Sequence, residues 1–126
     1  KLEANQAREF AALCAAIDLG LGRNKVGIGV LEKVLEEDPL NGTSLLLLGK
    51  HYMESNKYEE SEYYYERVLS VESFRRDGLM ALGQMEVARR DFKKALLYLR
   101  RAQEIEYEAN TQQFLEQVEQ AWQSSR

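Results

Sequence analysis

The chain has 126 residues, 44% of them hydrophobic and 30% charged, and a formal net charge of −4, which suits one compact domain able to bury roughly two thirds of its unfolded surface. The longest unbroken apolar run, Phe10 to Ile17, is far short of the ~20 residues of a membrane-spanning helix, and no segment has the pattern of a signal peptide. One cysteine, Cys14, excludes an internal disulfide and a cysteine zinc site, and one histidine, His51, leaves little room for metal or acid–base chemistry.

Nothing in the sequence alternates apolar and polar residues as a half-buried strand does, and the lone Pro39 and scattered glycines mark no linker. In chain order, helical spacing and breakers predict helices over 3–20, 25–37, 42–55, 59–71, 76–88 and 92–105. A seventh, near 109–123, carries Phe114, Val118 and Trp122 at four-residue spacing. The expected class is all-α, in a single domain covering 1–126. Because the sequence begins at Lys1 and not at a methionine, it is read as a piece of a longer protein.

One internal period stands out, at 34 residues. Small residues recur at Ala15, Gly49 and Gly83, and again at Gly27, Ser61 and Ala95. Apolar residues follow in the sets Ala11, Leu45, Leu79; Cys14, Leu48, Leu82; Leu31, Tyr65, Leu99; and Val34, Val68, Ala102. Gly22 and Asn56 share one turn position. The physical sense is two helices per unit that approach closely where the small residues sit, with apolar side chains on either side of each crossing. Three units fit, 8–41, 42–75 and 76–109, and the last helix, 110–123, caps the open end as a repeat array requires.

The run Leu45-x2-Leu48-Gly49-x2-Tyr52, followed by Tyr58, Ser61, Tyr65 and Val68, resembles the tetratricopeptide repeat. The third unit matches through Leu79, Leu82, Gly83, Phe92, Ala95, Leu99 and Ala102, and the first through Ala15, Gly27, Leu31, Val34 and Pro39. Departures are Asp18 and Glu86 in the place of Tyr52, Asn24 in the place of Tyr58 and Phe92, and Ser73 and Tyr107 in the place of Pro39. Gly29 lies inside a predicted helix without a packing reason. The resemblance implies a right-handed α-α superhelix and a non-catalytic protein–protein interaction module, with no cofactor.

In such a superhelix the first helix of each unit has a packing stripe and, beside it, a stripe lining the concave surface. By the 34-residue offset the second stripe comprises Ala12, Ala16 and Leu19, then Leu46, Lys50 and Met53, then Met80, Gln84 and Val87. All but two are apolar, and methionines suit adaptable binding surfaces. The expected ligand is the apolar face of a partner helix or an extended apolar peptide, oriented by Lys50 and Gln84. The bland reading makes several of these residues plain core between adjacent helices. Some domains of this family grip a partner's terminal carboxylate with lysine, asparagine and arginine side chains. The matching positions here are Ala12, Ala16, Leu47, Asp77 and Ala81, none of which donates a side-chain hydrogen bond to a carboxylate.

Charge is uneven: residues 76–109 carry a net +1, and each of the two preceding units carries −2. Arg89, Arg90, Lys93, Lys94, Arg100 and Arg101 make the third unit's basic cluster, but an isoelectric point near 5.2 and a groove without polar base-reading positions argue against nucleic acid. Among Tyr63, Tyr64 and Tyr65, helical geometry places Tyr65 in the core, Tyr64 between units and Tyr63 outside. His51 reads as a packing histidine, Cys14 as a core thiol, and Glu59, Glu60, Glu62 and Glu66 as a solvated face, so no catalytic or metal residue is assigned. The competing role is a structural spacer or a segment for homo-oligomerisation, with the groove filled by the parent chain or a second copy.

Overall fold

A computed structural model describes residues 2–126. Seven α-helices follow one another: α1 (Leu2–Gly20), α2 (Asn24–Glu37), α3 (Gly42–Glu54), α4 (Tyr58–Val68), α5 (Arg75–Ala88), α6 (Phe92–Ile105) and α7 (Ala109–Ser125), with a 3₁₀ turn at Glu72–Phe74. Among the described residues there is no strand. The helices pair as α1 with α2, α3 with α4 and α5 with α6, and each pair stacks on the next. The all-α solenoid expected from the 34-residue period is the fold observed.

The pairing follows from the small residues. A β-carbon on Gly83 would lie 2.8 Å from Leu99 Cδ2, and one on Gly49 would collide with the Tyr65 ring. Those two backbones therefore approach as no larger residue allows. At the second crossing Ser61 Oγ donates to the Gly49 carbonyl at 2.8 Å, which satisfies a hydroxyl buried by the same approach. The three short turns each need one left-handed residue, and it falls at Gly22, Asn56 and Arg90, each 34 residues after the last.

The core runs along the stack as three linked clusters. Ala12, Ala15, Leu31, Leu35, Leu45, Leu48 and Val68 form the first; Tyr65, Leu82 and Met85 the second; and Phe92, Ala95, Leu96, Leu99, Leu115 and Val118 the third. Helix α7 thus covers the last pair, with Phe114 and Trp122 half-buried beside Leu115 and Val118. Arg76 holds this cap in place: its guanidinium donates to the Glu106 carbonyl, Gln103 Oε1 and Thr111 Oγ1 and lies 3.5 Å from Glu108 Oε1.

Two expectations change, and one further residue stands out. Helix α4 stops at Val68 and not near 71, because Leu69, Ser70 and Val71 close tight turns onto Glu66, Arg67 and Val68, and Arg75 Nε caps the Leu69 carbonyl at 2.9 Å. Cys14 and Ala11 are only half-buried, since no helix covers α1 as α2 covers α3. Glu86, a departure from the repeat pattern, is 1% exposed.

Candidate functional site

The inner faces of α1, α3 and α5 line the concave side. Between α3 and α5 lies a hollow of about 280 Å³ walled by Leu46, Lys50, Met53, Tyr65, Met80 and Gln84, with Asp77 and Ala81 completing its rim. Between α1 and α3 lies a second, of about 170 Å³, walled by Ala16, Leu19, Gly20, Leu47, Lys50, His51 and Glu54. Lys50 belongs to both, so the two hollows are consecutive segments of one groove.

Most of the expected stripe therefore meets there, with two exceptions. Ala12 is a correction: it is fully buried in the first core cluster, among residues of α2 and α3, because its methyl group is too short to emerge between those helices. Val87 packs half-buried against the third cluster and lines neither hollow. Leu19 does double duty, since it also fills the space above Gly27, where a β-carbon would lie 2.8 Å from its Cγ. Leu46, Met53 and Met80 lean on the core while leaving part of each side chain open to the groove. Lys50 and Gln84 are exposed.

The electrostatics depend on what surrounds Lys50. Glu54 shares one hollow with it and Asp77 the other, both exposed. Lys50 thus brings a positive charge to both hollows, and each hollow also has one carboxylate in its lining. Of the positions that would grip a terminal carboxylate, Ala16 and Leu47 line the hollow between α1 and α3 and Asp77 and Ala81 the hollow between α3 and α5, and they bring no donor. Tyr65 forms part of the floor, and burial, with Glu54's charge adding, pushes its phenol up to about 12, so it stays neutral. Among the described residues no group of three or more His, Cys, Asp or Glu side chains is placed to hold a metal ion, and no helix is long and apolar enough to cross a membrane.

The sequence offset did not single out Glu54, His51 or Gly20. Their signal was available: Glu54 lies one helical turn beyond Lys50, Gly20 one beyond Ala16 and His51 one beyond Leu47. Outside the groove, Tyr65 is buried, Tyr64 stacks on Tyr52 at 5.8 Å between ring centroids, and Tyr63 is exposed under Arg67. His51 is half-buried, edge-on to Tyr52.

The chain is similar in structure to the first TPR of Spaghetti (RPAP3) bound to HSP90 peptide SRMEEVD, at 16% identity and a TM-score of 0.78, over 93% of this chain and 94% of that one. No curated protein sequence matches it. A family model described as tetratricopeptide repeat matches residues 15–72 and again 46–111. Together these matches span residues 15–111, most of the helical stack that the 34-residue period builds, and the chain belongs to the tetratricopeptide repeat family.

Proposed function

We infer that the chain is a non-catalytic protein–protein interaction module, organised as units 8–41, 42–75 and 76–109 with a cap from 110, that binds a partner helix or apolar peptide in its concave groove. The observation that carries this reading is the pair of consecutive hollows joined at Lys50, apolar along Leu19, Leu46, Met53 and Met80. A half-buried apolar groove of that kind is what an amphipathic helix or extended segment covers. The neighbour's bound peptide supports peptide binding as something this architecture does. An acidic tail fits poorly here, because Glu54 and Asp77 flank Lys50 and no clamp donors face the groove. The partner segment is apolar with neutral or basic flanks, and nucleic acid is not its ligand.

Peptides selected from a random display library on the wild-type chain test this. Their affinity falls at least tenfold in Leu46→Glu, Met80→Glu at unchanged helicity, since both side chains present open surface to the groove. Equal affinity in the variant removes the groove as the site and favours the spacer role.

A further inference from the structure

The fold divides the three methionines into two kinds. Met85 is wholly buried in the second core cluster. Met53 on α3 and Met80 on α5 are half-buried, and although they belong to different units, both line the one hollow of about 280 Å³ between those helices. Lys50 and Gln84, the exposed N–H donors of the groove, line the same hollow. A thioether is a soft, weakly polar wall, whereas its sulfoxide is strongly polar and its oxygen accepts hydrogen bonds. Oxidation of this pair alone would therefore change what the hollow can hold.

We propose that Met53 and Met80 form a paired oxidation site that switches the groove off, with a small hydroperoxide as the oxidant. The inference rests on the groove reading above and adds its regulation. In the step, a sulfur lone pair attacks the terminal peroxide oxygen, and the S–O bond forms as the O–O bond breaks. That oxygen's proton passes to the leaving oxygen, which departs as water or an alcohol. Sulfur gives up two electrons and the peroxide takes them.

Three observations support this assignment. The hollow is roomy enough for hydrogen peroxide, since one water occupies only about 30 Å³ of liquid. Lys50 and Gln84 stand in the same lining to donate to the new oxygens, so the oxidised hollow has partners for its added polarity and the fold persists. Met85 is 0% exposed, so the core behind the groove keeps its thioether. An apolar segment laid over two sulfoxides would strip them of water, which disfavours binding. Sulfoxide reductases, one for each epimer, return the side chains to their first state.

The test uses the Cys14→Ala chain, which removes the half-buried thiol as another oxidation site. The protein is treated with hydrogen peroxide, freed of it, and titrated with a library-selected peptide that contains neither methionine nor cysteine. Peptide mapping by mass spectrometry should find an added oxygen on Met53 and on Met80 and none on Met85. Affinity should fall about tenfold or more at unchanged helicity, and methionine sulfoxide reductases should restore it. In Met53→Leu, Met80→Leu the affinity, whatever its level, should be the same before and after peroxide. Oxidation of both residues without loss of affinity, a loss that accompanies unfolding, or an equal loss in the leucine variant would overturn the proposal. A peptide indifferent to Leu46→Glu, Met80→Glu fails the groove reading itself, whereas one that needs the groove and ignores peroxide fails only the switch.

Discussion

Two glycines of opposite character show how residue-scale effects divide. Gly49 faces the Tyr65 ring so closely that an added methyl must displace it, whereas a β-carbon on Gly29 would meet nothing within 4 Å. Gly49→Ala should accordingly lower stability by about 2 kcal/mol through overpacking, and Gly29→Ala should raise it by about 1 kcal/mol, the helix-propensity difference. Urea unfolding of both variants checks the pair, and the same sign for both would contradict the crossing geometry. Arg90 holds a left-handed conformation, φ 63°, at the turn position where Gly22 and Asn56 stand. Arg90→Gly should add roughly 1 kcal/mol by relieving that conformation, read as a raised melting temperature.

Glu86 is the other residue out of place. Its carboxylate is buried, Oε2 lacks a hydrogen bond, and Arg89 stands 3.7 Å away. Desolvation raises its pKa above the usual 4.5, and Arg89 and Lys94 only partly oppose this. The folded state therefore binds the proton more tightly than the unfolded chain does. Stability is fullest below the ordinary glutamate value and falls as pH rises through the raised one. Glu86→Gln should raise the melting temperature at pH 7, by about 1 kcal/mol in stability, with the gain shrinking toward pH 4. A gain that does not change with pH would mean the charge is not what strains the site. The sequence marked Glu86 as a departure from the repeat, but its burial depends on α6 and Arg89 closing over it, which spacing alone does not reveal.

At the scale of elements, every helix was legible from spacing, because each amphipathic stripe must face a neighbour and the 34-residue offset names which. The exceptions have tertiary causes. Helix α4 ends early because Arg75 caps it and Phe74 folds back over Gly42, a contact between residues more than 30 positions apart. Ala12 drops into the core because its neighbours on α2 and α3 close above a short side chain. Arg76 was invisible because its partners Gln103, Glu106 and Thr111 converge only once α7 has docked. The cap invites a direct trial. Leu115→Ala should cost 2–4 kcal/mol, in the range of buried leucine truncations, and loosen the half-buried Trp122. Fluorescence of this lone tryptophan should shift to the red before global unfolding.

For the whole molecule, the groove was legible because a superhelix puts the same face of every first helix on one side, and Leu46, Lys50, Met53, Met80 and Gln84 do gather there. Its acidic flank was only half so: Glu54 lies one turn from Lys50 on α3, but Asp77 joins Lys50 around one hollow only after α3 and α5 stack. The central claim, that this groove receives a partner's apolar segment, is tested most directly by the methyl resonances of the three methionines during titration with a library-selected peptide. Met53 and Met80 line the groove, and Met85 is wholly buried behind it. The account predicts that the Met53 and Met80 signals shift in proportion to occupancy while Met85 stays fixed. Binding that leaves Met53 and Met80 unmoved would place the partner elsewhere and contradict it.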